Sequence, residues 1–365
     1  MLKGAERCGG ALIAAALCAA CIAAATEVQR VGWADVLEQP DAWYGTAEAR
    51  AIAGHVLGYQ EPSGGWPKNI DMTVPAPAPA GRAEATIDNQ ATFTQIRLLA
   101  RVHSASPDPR YRDAALSGID YLLAAQYPNG GWPQVFPLRT DYSRYITFND
   151  WAMIGVITLL DEVAAERRGW EFVDQARRAK ARDAVRRGLD VILRSQIRVN
   201  GTLTAWCAQH DEVTLEPRKA RAYEHVSLSG AESVGTVRFL MRRDPGSASI
   251  DAAIRSVVAW FEQVTLRGWR LERRADPALP GGFDRVIVRD DQAPPLWARF
   301  YEIGTNRPIF SGRDGVIRDS LAEIEHERRV GYEWVGDWPR ALLEIDYPKW
   351  RARRAAGRRL REGLR

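Results

Sequence analysis

The eight-residue pattern Gln-x-Pro-x-Gly-Gly-Trp-Pro occurs twice in this chain, beginning at Gln60 and at Gln126. The apolar run that precedes each copy recurs twice more, ending in Gln196 and Gln263, so the glutamines are spaced 66, 70 and 67 residues apart. A near-constant period of this length indicates a repeated supersecondary unit, because one such unit cannot bury its apolar face without a neighbour. The fold must therefore stack several copies of one unit.

Each repeated unit contains a second helical segment. Apolar residues recur at helical spacing in 92–102, 151–163 and 229–241. The segment 151–163 is apolar almost all round, which is typical of a buried helix. We therefore predict an all-α fold, an (α/α) toroid of repeated helix hairpins in which inner helices line the core and outer helices wrap it. Long irregular or short-strand connections would join the hairpins.

The Gly-Gly-Trp-Pro segment has a structural interpretation. Glycine adopts the left-handed conformation that ends helices, so we expect Gly64 and Gly130 to cap the outer helices. The prolines that follow prevent each helix from continuing. We also expect Trp66 and Trp132 to pack against their connections, and the repeat assigns Trp206 and Trp269 to the equivalent places in the third and fourth units.

The first 25 residues predict a secretory signal peptide. A basic start is followed by an apolar run over 11–25, which is too short to span a membrane comfortably, and by small residues suited to cleavage. The alternatives are a retained N-terminal anchor and a weaker lipoprotein-like signal at Cys21. Cleavage would leave Cys207 as the one cysteine, so no intrachain disulfide could form. We expect a secreted or periplasmic protein.

Composition and charge exclude several other classes. The chain has 365 residues, of which 46% are hydrophobic and 26% charged, an ordinary globular balance. The net charge of +4 is concentrated at the end, where the segment from Lys349 carries eight basic residues and one acidic residue. We divide the mature chain into a catalytic domain over 26–350 and a basic tail over 351–365. Nothing predicts a nucleic-acid partner or stable membrane insertion, and we expect a monomer.

Three charged residues occupy comparable places before the inner helices. Asp88 precedes the first, Asp150 the second and Arg221 the third, at spacings of 62 and 71 residues that follow the repeat. Sites gather on loops that a rigid scaffold carries, so these three should converge on one face. Each has a plainer explanation, since aspartate often caps helices and arginine is usually a surface charge. Two converging carboxylates, however, suit a hard cation such as Ca²⁺.

Several long motifs resemble one enzyme family in the same order along the chain. They are GGWPKNIDM, ATIDNQAT, YPNGGWPQVFPL, YSRYITFND, WCAQHDEVTLEPRKARAYE and TNRPIFSGRDGVIRDSLAEIEHERRVGYEWVGDWP. The chain resembles pectate lyases of polysaccharide lyase family ten over about residues 28 to 352. The resemblance implies an (α/α) toroid that cleaves polygalacturonate by β-elimination and requires Ca²⁺.

The resemblance also implies roles for individual residues. Arg221 matches the catalytic base, and Asp88 and Asp150 match the calcium ligands. Six residues match or neighbour substrate-binding positions: Lys68, Asn89, His210, Asp211, Arg307 and Arg313. Trp151 departs from the family pattern, because a small or acidic residue is expected beside Asp150.

Other functions remain open from the sequence. An α/α toroid can also host a glycoside hydrolase that uses paired carboxylates on uronic-acid oligosaccharides. An inactive pectin-binding relative is a second alternative, which Trp151 keeps open although Asp88, Asp150 and Arg221 are all present. A terpene-cyclase-like barrel, the third, lacks an Asp-rich cation-generating motif.

Overall fold

The computed structural model describes residues 31–77, 84–243 and 247–362. Within these ranges the chain is mainly helical, which confirms the all-α prediction. The helices are α1 (Ala47–Gly58), α2 (Phe93–Ala105), α3 (Pro109–Ala124), α4 (Ala152–Ala164), α5 (Gln175–Ser195), α6 (Glu232–Arg243), α7 (Ala248–Gln263), α8 (His326–Gly331), α9 (Trp338–Ala341) and α10 (Tyr347–Glu362).

The first seven helices form two layers of a toroid. Helices α2, α4 and α6 form the inner layer and α1, α3, α5 and α7 the outer layer, each helix in contact with the next one in its layer. The pairs α2–α3, α4–α5 and α6–α7 are the predicted hairpins. Helix α4 lies in the middle of the inner layer and buries residues on nearly every side, as its apolar sequence predicts.

The repeated glutamines join one unit to the next. The side-chain amide of Gln60 donates to the Gly64 carbonyl and to the Ala114 carbonyl of α3, at 2.8 and 2.9 Å. Gln126 bonds its own turn and Ala184 of α5 in the same way, and Gln196 bonds its own turn and Ala253 of α7. A buried amide that ties a turn to the neighbouring outer helix explains why glutamine recurs at this period.

The repeated tryptophans close each unit, but the fourth copy differs from our prediction. The buried indoles of Trp66, Trp132 and Trp206 donate to carbonyls of the preceding outer helices at 2.7–2.8 Å. In the fourth unit the buried Trp297 makes this bond, to Phe261 of α7 at 2.8 Å. Trp269 is 40% exposed, so its assignment was wrong. A long strand hairpin, formed by Trp269–Ala275 and Phe283–Arg289, separates α7 from the tryptophan that closes this unit.

The Gly-Gly pairs also differ from the prediction. Helices α1 and α3 end at Gly58 and Ala124, several residues before the glycines. Gly64 instead closes a turn by donating to the Glu61 carbonyl, with φ +95°. A Cβ at Gly64 would lie 2.5 Å from the Ser117 carbonyl oxygen of α3, so glycine is needed for close approach as well as for its φ.

The short strands lie in the connections and in the C-terminal segment. They are β1 (Ile146–Thr147), β2 (Arg198–Val199), β3 (Thr202–Leu203), β4 (Gln209–His210), β5 (Leu228–Ser229), β6 (Trp269–Ala275), β7 (Phe283–Arg289), β8 (Trp297–Ala298), β9 (Phe300–Tyr301), β10 (Phe310–Ser311), β11 (Ile317–Arg318) and β12 (Val335–Gly336). They pair antiparallel as β1–β4, β2–β3, β5–β9, β6–β7, β8–β12 and β10–β11.

The C-terminal segment adds a smaller apolar cluster beside the main core. The aromatic side chains of Tyr223, Phe300, Phe310 and Trp334 belong to it. This cluster joins the loop that carries Arg221 to the strands after β7, so the C-terminal segment forms one side of the site. Helix α10 runs across the predicted boundary between the catalytic domain and the basic tail.

The predicted signal peptide, residues 1–25, lies outside the described residues. In the ranges that the structure does describe, no helix is both long enough and apolar enough to cross a membrane.

Candidate functional site

Two strained turns precede the inner helices and carry the candidate carboxylates. Asp88 lies in a short 3₁₀ turn before α2 and Asp150 in a similar turn before α4, and the two turns contact each other. The φ angles of Asn89, Asp150 and Trp151 are +46°, +47° and +65°. Non-glycine residues seldom adopt this region, and clusters of them occur where a fold imposes a particular geometry at a site.

The two aspartates do not cap helices. The N-cap positions of α2 and α4 are Thr92 and Trp151, and neither side chain makes a capping hydrogen bond. The outer helix α3, in contrast, begins with Asp108 accepting from a backbone N–H in the usual way. The structure therefore removes the plainer explanation for Asp88 and Asp150.

Asp88 is buried and only half satisfied. Its Oδ2 forms an ion pair with the Nζ of Lys68, a side chain that is partly exposed. Its Oδ1 is buried and, within the described part of the chain, has no hydrogen-bond partner. An unpartnered carboxylate oxygen is costly to bury, which indicates that a ligand completes this position.

Asp150 belongs to a buried ionic network with Arg299 and Glu232. The Arg299 guanidinium donates to Asp150 Oδ1 at 2.8 Å and also pairs with Glu232, which is fully buried at the start of α6. Burial alone would lower the pKa of Arg299, but the charges of Glu232 and Asp150 raise it well above the usual value. Asp150 Oδ2 accepts from the amide of Asn149 at 2.6 Å.

Arg221 is held by Glu224 and two tyrosine rings. Its Nε and terminal nitrogen donate to the two carboxylate oxygens of Glu224 at 2.8 and 2.5 Å. The guanidinium lies 5.2 Å from the ring centroid of Tyr223 and 5.9 Å from that of Tyr332. Burial opposes the charge, but the bonds from Glu224 outweigh it and raise the pKa of Arg221.

Tyr332 connects the two ionic groups. Its hydroxyl donates to Glu224 at 2.9 Å, and its ring centroid lies 4.7 Å from the Arg299 guanidinium. A continuous chain of contacts therefore runs from Asp150 through Arg299, Tyr332 and Glu224 to Arg221.

Contacts also connect Arg221 to the Asp88 turn. Lys68 pairs with Asp88, the turns of Asp88 and Asp150 contact each other, and the chain of contacts described above leads from Asp150 to Arg221. Burial raises the pKa of Tyr142, with smaller effects from the charges of Arg221 and Glu224. The structure thus brings Asp88, Asp150, Arg221 and Lys68 into one region.

The Asn89 side chain lies at the mouth of a cleft beside these groups. Its amide donates to Asn69 Oδ1 at 2.8 Å, and both residues line the cleft together with Asp150 and Trp151. The exposed position of Asn89 leaves it accessible to a ligand.

His210 and Asp211 lie in the framework under the Arg221 loop. The His210 ring is fully buried, and its nitrogens contact the Cys207 N–H and the Leu215 carbonyl. Asp211 accepts from the N–H groups of Val213 and Thr214 and pairs with Arg218. Both nitrogens of the His210 ring contact backbone groups, so in this structure His210 supports the loop. A substrate-binding role for Asp211 stays a prediction.

The two C-terminal arginines lie in different surroundings. Arg313 pairs with Glu327 at 2.9 Å, and its loop packs beside Ala222, next to Arg221. Arg307 pairs with Asp319 at 2.9 Å. Among the residues that the structure describes, no hydrogen bond or ion pair joins Arg307 to the other candidates.

Sequence reasoning missed the residues that orient the candidates. Glu224, Glu232, Arg299 and Tyr332 are charged or polar groups that no helical pattern distinguishes. Glu224 lies three residues after Arg221, and this spacing is the one local signal that was available. Arg299 contacts Asp150 across 149 positions of sequence. At that separation, no pattern in the sequence indicates that the two residues meet.

The donor set fits a single hard cation in part. Across the described residues, no group of three or more His, Cys, Asp or Glu side chains could by itself hold a metal. The Asp88 Oδ1 and the carboxylate of Asp150, which lies on the neighbouring turn, nevertheless are oxygen ligands of the kind that Ca²⁺ takes, and Asn89 follows Asp88 directly. Two carboxylates leave coordination positions for a ligand's own oxygens.

Comparison with known proteins gives a consistent result. The family model for pectic acid lyase matches residues 60–343. A solved family 10 polysaccharide lyase from Cellvibrio cellulosa is 38% identical, with a TM-score of 0.75 over 84% of this chain and 93% of that one. An aspartate-to-alanine mutant of the Cellvibrio lyase in complex with trigalacturonic acid is 37% identical, with a TM-score of 0.74 over 86% and 98% of the two chains. No curated protein matches.

Proposed function

Because this chain belongs to the pectic acid lyase family, we propose that it cleaves polygalacturonate by calcium-dependent β-elimination, with Arg221 as the base. The observation that carries this proposal is the convergence of the two carboxylate turns with Arg221. The complex of the similar Cellvibrio lyase with trigalacturonic acid supports a galacturonate substrate.

Elimination requires three changes at the sugar. A proton leaves C5, the bond from C4 to the glycosidic oxygen breaks, and a double bond forms between C4 and C5. The released chain takes a hydroxyl end, so no water is consumed. Catalysis then depends on a base at C5 and on stabilisation of the charge that develops on the neighbouring carboxylate.

In the proposal Arg221 accepts the C5 proton and Lys68 binds a substrate carboxylate. Glu224 fixes the guanidinium through two hydrogen bonds, so its direction is set before substrate arrives. The same pairing raises the pKa of Arg221 and disfavours the neutral base. We therefore expect the rate to rise towards alkaline pH.

Asp88 and Asp150 would hold Ca²⁺, assisted by the Asn89 amide oxygen. When bound, the cation would withdraw charge from a uronate carboxylate and so acidify the C5 hydrogen. Lys68 pairs with one oxygen of Asp88, and Arg299 pairs with one oxygen of Asp150. Each negative charge is therefore balanced by a neighbouring cation. Asn89, Arg307 and Arg313 remain proposed substrate contacts.

We extend the proposal to the setting of the enzyme. Residues 1–25 would direct export and be removed, giving a secreted or periplasmic monomer with its catalytic domain over 26–350 and a basic tail over 351–365. Acting on an external polysaccharide is consistent with export.

Absorbance of the product tests the function directly. Incubation with polygalacturonate and added Ca²⁺ should generate the conjugated double bond, which absorbs in the ultraviolet, and EDTA should stop its formation. Reducing ends without ultraviolet absorbance would identify a hydrolase instead. Binding of polygalacturonate with neither product would identify an inactive relative.

A further inference from the structure

A cleft runs between the inner helices and begins at the candidate calcium site, whose Asn89 and Asp150 belong to its lining. We name it the inner-helix cleft; its volume is ≈ 750 Å³. Its wall consists of one stripe from each inner helix: Phe93 and Arg97 of α2, Ile154, Gly155 and Thr158 of α4, and Gly235, Arg238 and Arg242 of α6. Trp151 and Asp150 lie at its mouth, and the seven helical steps from Trp151 to Thr158 correspond to a depth of about 10 Å.

Trp151 offers an aromatic surface at the mouth of this cleft. Its ring packs against α6 at Gly235, where an added Cβ would lie 2.9 Å from the indole. Its side of the cleft remains open, because Trp151 is 37% exposed although it begins a buried helix. Phe93, in contrast, is buried against Gly155 and is only 5% exposed. A flat exposed indole in a cleft is suited to stacking against a ring.

The far part of the cleft is basic. Arg97 is compensated by Glu162 through two bonds, and Arg238 by Asp346 at 2.8 Å. Arg242 contacts the Thr158 hydroxyl at 3.3 Å and, among the described residues, forms no ion pair. The cleft therefore favours an anionic group near Arg242.

We propose that the inner-helix cleft is an additional binding site for uronate residues of the substrate chain, with Trp151 stacking on a sugar ring and Arg242 pairing with a carboxylate. The proposal rests on the proposed function for the class of ligand. The proposal gives a role to Trp151, the residue that departs from the family pattern. Contacts with Trp151 would extend binding of the polymer beyond the calcium site. Stacking supplies contact area, and the arginine selects an acidic sugar over a neutral one.

Direct binding without catalysis tests this site. Titration calorimetry would measure hexagalacturonate binding in EDTA for the wild type, Trp151→Ala, Trp151→Phe and Arg242→Gln. Trp269→Ala and Arg186→Gln are matched controls, because both side chains are exposed on other parts of the surface. We expect about a tenfold loss of affinity in Trp151→Ala and in Arg242→Gln, and less than about twofold in both controls and in Trp151→Phe.

The outcomes separate this inference from the proposed function. Hexagalacturonate affinity that is unchanged in both Trp151→Ala and Arg242→Gln would overturn the site, as would a wild type that does not bind in EDTA. If the wild type binds and both variants weaken, yet the ultraviolet assay finds no elimination, the site stands and the proposed reaction fails. Circular dichroism of each variant checks folding, and Arg242→Gln tests the site if Trp151→Ala does not fold.

Discussion

Arg221 lies between a carboxylate and two tyrosine rings, an environment that favours the charged guanidinium. Its side chain is 39% exposed, so it reaches solvent although Glu224 is buried. Such a group contributes little to the core but is well placed to meet a ligand. Replacing Arg221 therefore tests its chemical role in a protein that still folds.

We predict that Arg221→Ala and Arg221→Lys abolish elimination while the protein still folds, although Arg221→Ala also lowers stability because the buried Glu224 loses its counter-charge. The lysine variant keeps a positive charge but cannot reproduce the two parallel bonds to Glu224. Ultraviolet absorbance measures the rate, and thermal unfolding monitored by circular dichroism measures stability. Near-normal turnover in either variant would remove Arg221 from the role of base.

His210 makes the fold sensitive to acid. Burial lowers the pKa of His210 from 6.5 to about 4, because the protonated ring cannot be solvated there. Between these values the unfolded chain binds a proton that the folded chain does not. The stabilisation is therefore fully present above pH 6.5 and is lost as the pH falls towards 4, by about 3 kcal/mol.

Denaturant unfolding above and below this pH interval measures the effect. We expect His210→Gln to be less stable than the wild type at neutral pH, because two backbone contacts are disturbed, but to show a weaker dependence on pH. Equal pH dependence in the two proteins would mean that His210 is not the responsible group.

At the scale of elements, the repeated units share the same hydrogen bonds even where their sequences differ. In three units the segment between the outer helix and the tryptophan that bonds to it is short. In the fourth unit this segment contains the hairpin of β6 and β7. Trp297 takes the place that the period assigned to Trp269, since its indole bonds the carbonyl of Phe261. A long insertion moves the equivalent residue along the sequence without moving it in space.

We therefore predict different effects on stability when Trp297 and Trp269 are each replaced by alanine. Trp297→Ala should destabilise the protein by about 3–5 kcal/mol, because it leaves a buried cavity and an unpaired carbonyl. Trp269→Ala is the matched control and should change stability by less than about 1 kcal/mol, because its ring is largely exposed. Chemical denaturation measures both, and a Trp269→Ala loss as large as that of Trp297→Ala would contradict the reassignment.

At the scale of the whole molecule, Arg299 joins parts that are far apart in sequence. Its guanidinium contacts the turn before α4 through Asp150 and the start of α6 through Glu232. Arg299 itself belongs to the C-terminal segment between β8 and β9. The candidate site is thus complete only when that segment docks on the toroid.

We predict that Arg299→Leu costs about 3–5 kcal/mol of stability, because it leaves Glu232 buried without a counter-charge. The variant should also bind Ca²⁺ more weakly, since Asp150 loses the contact that orients it. Denaturant unfolding and calcium titration by calorimetry measure the two effects, with Arg307→Leu as an exposed arginine in the same segment for comparison. Unchanged calcium affinity would show that Arg299 does not orient Asp150.

Pattern alone was sufficient to predict the all-α toroid, the period of its units and the positions of Asp88 and Asp150 just before the inner helices, because helical periodicity and repeated glutamines are local or regularly spaced features. Three other facts came from the folded structure: Trp297 closes the fourth unit, His210 is enclosed, and Arg299 joins Asp150 to Glu232. The first depends on a hairpin inserted between Phe261 and Trp297, the second on burial of a single ring, and the third on a contact across 149 positions of sequence. No local pattern encodes them, because packing brings such groups together only after the whole chain has folded.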